Sequence, residues 1–199
     1  MPTPLSQRFE AALVFANRLH ATQTRKGTRI PYVSHLLGVA SLALEHGADE
    51  DVAIGALLHD AVEDQGGRPT LARIHRRFGA RVAEIVEGCS YADTVPKPEW
   101  RIRKERYLRH LEAAPADVRL VSACDKLHNA RAILADYRVH GEALWKRFKG
   151  GRDGTLWYYR LLVQAFQRHG VTPLVAELAR VVAELDELAA ARGAAPEEK

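Results

Sequence analysis

The chain has 199 residues, of which 47% are hydrophobic and 27% are charged, as is typical of a globular protein. It has neither the roughly 18 to 20 residue apolar run of a membrane span nor a secretory signal at residues 1–15. The net charge of +4 favours an anionic partner. Two cysteines without a close-spaced metal motif exclude a disulfide framework, so we expect a soluble cytoplasmic protein.

Helical periodicity dominates the sequence, and strand patterns are nearly absent. An amphipathic first helix is predicted where apolar residues recur at spacings of three and four, at Leu5, Phe9, Leu13 and Ala16. Ser34 can cap a second helix over residues 35–46. Asp49 can cap a third helix, and because its residues 52–58 are apolar on nearly every side, we expect it to be central.

The rest of the chain continues the helical pattern. Further helices are predicted over residues 70–78, 81–89, 99–114, 117–137, 155–169 and 173–191. Loops are predicted at residues 91–98, which contain two prolines, and around Gly150, Gly151 and Gly154. We therefore predict a single all-α domain over residues 1–192, a bundle of about eight to ten helices, and a disordered tail at 193–199.

Four ionisable residues lie in or beside segments that otherwise have the pattern of buried apolar helix. They are His35, His59, Asp60 and Asp125. Burying an unpaired ionised carboxylate costs several kcal/mol, and a bound cation removes that cost. Two imidazoles and two carboxylates suit Mn²⁺, Fe²⁺, Co²⁺ or Zn²⁺, and a site with about six ligands favours Mn²⁺ or Fe²⁺. The sequence therefore predicts a metal centre, as in a metal-dependent hydrolase.

Two further carboxylates, Glu63 and Asp64, follow the His59-Asp60 pair by one helical turn. If residues 56–64 form one helix, Glu63 lies beside His59 and Asp64 beside Asp60. Such a pair can position a water molecule and move its proton. A chance His-Asp dipeptide is the plain alternative, but the apolar flanks and the trailing acidic pair favour the metal. We interpret the remaining histidines as bystanders, at His20, His46, His75, His110, His140 and His169, and assign His128 a structural role.

A dense basic stretch leads into the helix predicted over residues 99–114. Its members are Lys97, Arg101, Arg103, Lys104, Arg106 and Arg109. Two interpretations stay open for this stretch: a solvated helix face, and phosphate binding by some of its members. Nucleic acid is the weaker partner, because the sequence has no recognisable binding module.

A set of ordered motifs resembles the hydrolase domain of the RelA/SpoT family, within the HD-domain metal phosphohydrolases. The motifs are RKG (25–27), PYVSH (31–35), LLHDAVED (57–64), FGARVAEIVEG (78–88) and CDKLHNAR (124–131). The resemblance covers about residues 8–140 and implies an all-helical HD domain. It further implies a stand-alone small alarmone hydrolase, usually with Mn²⁺, that converts (p)ppGpp to GDP or GTP plus pyrophosphate.

The resemblance also implies residue roles. The metal ligands are His35, His59, Asp60 and Asp125, and the attacking water is activated by Glu63 and Asp64. Arg25 and Lys26 match nucleotide-contacting positions, and Asn129 matches one that faces the ribose. Lys104 is a further candidate by its charge, and so are Arg152 and Tyr158 in the segment GRDGTLWYYR (151–160).

Two departures from the family's sequence pattern leave open which purine base the substrate carries. They are Gln65-Gly66-Gly67 after the acidic pair and CSYADT at 89–94. The substrate alternatives are a guanine alarmone, its adenine counterpart (p)ppApp, and another nucleotide such as NADPH, which would make the protein a phosphatase. A non-catalytic alarmone-binding module is disfavoured by the complete set of metal and acidic residues. We predict a small nucleotide as the partner, neither nucleic acid nor membrane, and leave monomer or homo-oligomer open.

Overall fold

The computed structural model describes residues 4–90 and 98–194, with side chains up to residue 192. Within these ranges it contains ten α-helices and one 3-10 helix, so the all-α prediction is confirmed. The α-helices are α1 (Gln7–Leu19), α2 (Val33–Glu45), α3 (Glu50–Leu58), α4 (Ala61–Asp64), α5 (Gly67–Phe78), α6 (Ala80–Cys89), α7 (Trp100–Ala113), α8 (Ala116–His140), α9 (Gly151–Gln167) and α10 (Pro173–Ala194), and the 3-10 helix is Gly141–Arg147. Most of the predicted loop at 91–98 and the end of the predicted tail lie outside the described residues.

The chain groups into two compact units. The first comprises Met1–Glu99 and Ala113–Asp125, and thus α1 to α6 with the first part of α8. The second comprises Trp100–Glu112 and Lys126–Lys199, and thus α7, the rest of α8, the 3-10 helix, α9 and α10. The single domain over residues 1–192 stays a prediction. Among the helices that the structure describes, none is long and apolar enough to cross a membrane.

Helix α3 is the centre of the first unit, as its apolar sequence predicts. It packs against α1, α2 and α6, and its residues from Val52 to Leu58 are buried. The Asp49 carboxylate accepts a hydrogen bond from the backbone N–H of Val52 at 3.0 Å, which confirms the predicted cap. Gly55 permits the close approach of α6, since a Cβ there would lie 2.6 Å from Cγ2 of Ile85.

Two predicted helix boundaries in the first unit are wrong. Helix α2 begins at Val33, so Ser34 lies inside it and does not cap it. Helix α5 begins at Gly67, three residues before the predicted start. Pro69 does not delay that start, because the N–H that proline lacks has no intrahelical partner in a first turn.

The second unit is built around α9, which packs against α10 and the 3-10 helix. The predicted glycine loop is wrong, because Gly151 and Gly154 belong to α9. The ring of Trp100 explains why residues 150 and 154 are glycine. A Cβ would lie 2.6 Å from this ring at Gly150 and 3.2 Å from it at Gly154. Small residues are needed here for close packing against an aromatic ring, and sequence alone does not distinguish this from a turn.

Candidate metal centre

Three of the predicted ligands form a buried group in the first unit. His35 lies on α2, His59 follows the last residue of α3, and Asp125 lies on α8. Each offers one ligand atom, and these three atoms lie within 4.8 Å of one another. The residues are 1%, 3% and 7% exposed, so water screens their charges only weakly.

The fourth predicted ligand, Asp60, reaches the same two imidazoles. Its Oδ2 lies 3.0 Å from Nε2 of His59 and 3.5 Å from Nε2 of His35. Oδ1 of Asp125 lies 3.2 Å from Nε2 of His35 and 3.7 Å from Nε2 of His59. The Asp60 side chain keeps 24% exposure, so it is the most accessible of the four. We refer to these four residues as the His-Asp group.

The His59 ring is oriented for ligation. Its Nδ1 lies 2.8 Å from the carbonyl oxygen of Ala56, which can only accept, so Nδ1 carries the proton and donates. In the neutral ring, Nε2 therefore holds a lone pair that faces the carboxylates. This buried Nε2 has no partner with hydrogen-bond geometry among the described residues. A histidine ligand that donates its other ring nitrogen to a carbonyl is the common arrangement at metal sites.

The electrostatics of the His-Asp group favour a positive charge at its centre. Burial lowers the pKa of His59, but the carboxylates of Asp60 and Asp125 outweigh it and raise the pKa above its usual value. Burial likewise raises the pKa of Asp60, and the two imidazoles outweigh it, so the pKa of Asp60 lies below its usual range. Carboxylates that hold a proton on an imidazole attract a metal cation for the same reason. The residues present thus fit a divalent ion.

Tyr32 supports the group although sequence reasoning assigned it no role. Its hydroxyl donates to Oδ2 of Asp60 at 2.5 Å. Burial and the nearby Asp60 carboxylate raise the pKa of Tyr32, so the phenol keeps its proton and remains a donor. Its ring meets the ring of His35 edge-on, with centroids 5.5 Å apart. Tyr32 belongs to the PYVSH motif (31–35), but a motif does not indicate which atom its hydroxyl contacts, so the fold reveals this hydrogen bond.

The acidic pair lies next to the group on a separate short helix. The predicted continuous helix over residues 56–64 is wrong: α3 ends at Leu58, and Glu63 and Asp64 belong to α4. The interruption falls at Asp60, whose φ of −94° and ψ of −2° depart from α-helical values. The Asp64 N–H still donates to the Asp60 carbonyl at 3.0 Å, which keeps Asp64 one turn from Asp60. Both acidic residues are exposed.

The structure places Arg25 against Tyr32, the residue that contacts the ligand candidate Asp60. The Arg25 N–H donates to the carbonyl of Ile30 at 2.8 Å, which closes a turn over residues 25–30. The guanidinium carbon of Arg25 lies 5.9 Å from the ring centroid of Tyr32, the residue bonded to Asp60. Lys26 follows in the same turn and is exposed.

The remaining substrate candidates lie in the second unit. Lys104 and Tyr158 meet, with the lysine Nζ 4.4 Å from the ring centroid. Arg152 is directed to the backbone of α10, where it donates to the carbonyl of Ala189 at 2.5 Å. Asn129 follows Asp125 by one turn on α8 and is half-buried.

Comparison with known proteins places this arrangement in a family. A family model described as HD domain matches residues 12–156. The chain belongs to the HD domain family. This HD domain protein is 38% identical over 132 residues to the guanosine-3′,5′-bis(diphosphate) 3′-pyrophosphohydrolase MESH1 of Xenopus tropicalis, a match that spans 62% of this chain and 71% of that relative. The predicted kinship with this type of hydrolase is confirmed.

Matches to longer bacterial enzymes span only part of their length. The chain is 31% identical over 136 residues to the bifunctional (p)ppGpp synthase/hydrolase SpoT of Escherichia coli, and this match spans 67% of this chain but 19% of SpoT. Among solved structures, one described as a metazoan ortholog of SpoT that hydrolyzes ppGpp matches with a TM-score of 0.73 and 25% identity, over 96% of this chain and 98% of that one. A Listeria monocytogenes protein matches with a TM-score of 0.65 and 28% identity, over 74% of this chain and 96% of its own.

Proposed function

We propose that this HD domain protein is a metal-dependent alarmone hydrolase. It removes the 3′-pyrophosphate from (p)ppGpp, from (p)ppApp or from both, and leaves the nucleoside 5′-diphosphate or 5′-triphosphate. The observation that carries the proposal is the convergence of His35, His59 and Asp125, each by one ligand atom, in a member of this family. The names of the relatives support the alarmone as substrate.

The metal is held by the His-Asp group, and Mn²⁺ is the proposed ion. When bound, such an ion polarises a phosphoryl oxygen and lowers the pKa of water. His59 is kept in the ligating tautomer by Ala56, and Asp60 is kept in place by the Tyr32 hydroxyl. These two contacts hold the ligands in advance, so little ordering entropy opposes binding.

Glu63 and Asp64 carry out the acid-base work. Hydrolysis adds a water oxygen to phosphorus and breaks the bond between phosphorus and the 3′ oxygen. One proton must leave the water, and one must reach the departing 3′ oxygen. Two exposed carboxylates one turn from Asp60 can accept the first proton and return it to the leaving group.

Cationic side chains near the ligands attract the polyanionic substrate. Arg25 is the first candidate, because its guanidinium lies over the ring of Tyr32 and can fork onto a phosphate. Lys26 adds a second charge in the same turn. The sequence predicts four further nucleotide contacts, and the KM of the alanine variants tests each of them. They are Asn129, Lys104, Arg152 and Tyr158.

A substrate panel tests the proposal. The purified protein is loaded with Mn²⁺ and incubated with ppGpp, ppApp and NADPH, and pyrophosphate and phosphate are measured separately. We expect pyrophosphate from at least one alarmone. Phosphate from NADPH alone would make the protein a nucleotide phosphatase, and nucleotide binding without turnover would make it a binding module.

Metal dependence is tested on the same preparation. The protein is stripped with a chelator and reloaded in parallel with Mn²⁺, Fe²⁺, Co²⁺ or Zn²⁺. We expect activity to vanish on stripping and to return most fully with Mn²⁺. Full activity in the stripped protein, verified by elemental analysis, would contradict a metal-dependent reaction.

A further inference from the structure

A chain of polar side chains connects the buried His20 to the proposed acid-base residue Asp64. His20 is 2% exposed, and its Nδ1 lies 2.7 Å from Oε1 of Gln23. The Nε2 of Gln23 donates to Oδ2 of Asp64 at 2.7 Å. Gln65 donates to the same Oε1 of Gln23 at 2.6 Å. Gln23 and Asp64 lie 41 positions apart in sequence, so the Gln23 amide joins two distant segments of the chain.

The contacts determine how the Gln23 amide is oriented. A carboxylate oxygen accepts, so the atom of Gln23 that faces Asp64 must be the donor Nε2. The amide oxygen then faces His20 and Gln65, and His20 must donate from Nδ1. A reversed amide would place an oxygen against the Asp64 carboxylate and an NH₂ against the donor of Gln65. Two donors on one oxygen thus hold the amide in the orientation that serves Asp64.

The His20 ring also joins this chain to the metal-ligand candidates. It stacks on the ring of Tyr32, with centroids 5.2 Å apart and an interplanar angle of 19°. Tyr32 in turn donates to Asp60. One buried histidine therefore contacts, through one neighbour each, both a proposed ligand and a proposed acid-base carboxylate.

The burial of His20 is not explained by packing alone. Its Nε2 is buried and has no hydrogen-bond partner among the described residues. A buried polar atom without a hydrogen-bond partner destabilises a fold. An apolar side chain would avoid that loss but could not donate to Gln23.

We propose that Gln23, oriented by His20, is a positioning residue that holds Asp64 for proton transfer. The inference rests on the role proposed above for Asp64. An exposed carboxylate is free to rotate, and a hydrogen bond to one of its oxygens fixes where the other one lies. His20, interpreted from sequence as a bystander, becomes part of the site's support.

The substitution Gln23→Glu tests this role with almost no change in shape. A glutamate keeps an oxygen for His20 and Gln65 but replaces the donor that faces Asp64 by an acceptor. We expect kcat to fall by roughly 10- to 100-fold, as for other lost supporting hydrogen bonds at metal sites. KM and bound metal should change little, because neither the ligands nor the cationic residues are altered.

Gln7→Glu is the matched control. Gln7 is the exposed first residue of α1, at the opposite end of the helix that precedes His20, and it undergoes the same change of charge. We expect it to retain wild-type kcat. A Gln23→Glu enzyme with wild-type kcat would overturn this inference and leave the proposed function standing. A wild-type enzyme inactive on the whole substrate panel would overturn the proposed function and this role with it.

Nitrogen NMR of His20 tests the geometry without any substrate. The wild-type ring should be protonated at Nδ1, and Gln23→Leu should alter the Nδ1 shift because it removes the acceptor. A wild-type ring protonated only at Nε2 would contradict the amide orientation and overturn the inference. The three measurements together separate a positioning role from a general loss of structure.

Discussion

Two groups of charged residues in the first unit differ in how their charges are balanced. The surface network pairs each arginine with carboxylates: Arg8 with Glu50 and Asp51, and Arg81 with Asp49 and Asp117, at 2.6 to 3.0 Å. In the buried His-Asp group, Asp60 and Asp125 face imidazoles.

The difference lies in the partner's charge. A guanidinium is always a cation, whereas an imidazole is one only when it is protonated. The surface network therefore contains permanent cations, two guanidiniums among its four carboxylates. The carboxylates of the His-Asp group face imidazoles, which carry a positive charge only when protonated, so under the proposed function a metal ion supplies that charge. A carboxylate pairs with a guanidinium in the first group and is a proposed metal ligand in the second.

We expect the largest difference in metal content and turnover between alanine variants of two aspartates on α8, one from each charged group. Asp125→Ala removes a proposed ligand, so we expect loss of bound metal and of measurable turnover. Asp117→Ala removes an aspartate of similar type two turns earlier, in the surface network, and should keep both. Metal content by elemental analysis and turnover on the best substrate are measured for both variants. Equal metal content in the two would remove the distinction between the groups.

Within the site, Glu63 should separate chemistry from metal binding. Glu63→Ala leaves the His-Asp group intact, so we expect wild-type metal content. Turnover should fall by roughly 100- to 10,000-fold, the usual contribution of an acid-base group. Asp60→Ala is the comparison variant and should lose the metal as well. A Glu63→Ala enzyme with full activity would remove this residue from the mechanism.

A substitution that alters no charge should destabilise the helix packing that supports the buried His-Asp group. Gly55→Ala places a methyl 2.6 Å from Cγ2 of Ile85, one turn before His59. Overpacking of this kind destabilises by about 1 to 3 kcal/mol, although alanine's higher helix propensity offsets up to about 1 kcal/mol. Urea unfolding checks this. The Gly55→Ala/Ile85→Ala double variant should lose less stability than the two single losses added together, and strict additivity would argue against the contact.

The smallest effect is expected in the surface network. Arg81→Met should reduce the free energy of unfolding by about 1 kcal/mol or less, since exposed ion pairs contribute little. Metal content and kcat should be unchanged. Loss of the metal in this variant would mean that the two charged groups are not independent.

The Arg81→Met variant also tests how the stability of the surface network depends on pH. Burial raises the pKa of Asp49, but the Arg81 guanidinium and the Val52 N–H together outweigh burial and hold that pKa below its usual value. A lowered carboxyl pKa contributes stability above the unfolded-state pKa, and this is lost as pH falls through the folded-state value. The difference in stability between wild type and Arg81→Met should therefore shrink below about pH 4. A difference that grows on acidification would contradict this origin.

The sequence predicts the His-Asp group well because burial and charge conflict there. Carboxylates in the apolar surroundings of Leu58 and Ala123 are costly enough to stand out without any structure. The apolar pattern of residues 52–58 likewise predicts the central helix α3. Both signals are local and strong, so neighbouring residues suffice to read them.

Other features depend on contacts that sequence does not display. The sequence does not show the break between α3 and α4, because every residue from 56 to 64 is compatible with a helix. It does not single out Gln23, because glutamine is usually a solvated residue and the partners of Gln23 lie three, 41 and 42 positions away. It predicts a loop at Gly150 and Gly154, because glycine is typical of turns and of close packing alike.

The most direct test of the metal centre is anomalous diffraction from crystals grown with Mn²⁺, measured on both sides of the manganese absorption edge. We expect one strong peak at the His-Asp group, next to Nε2 of His35 and His59 and to oxygens of Asp60 and Asp125. Asp125→Ala crystals should lack this peak. An ordered His-Asp group without a peak, in crystals where Mn²⁺ binds elsewhere on the chain, would contradict metal binding by these four residues.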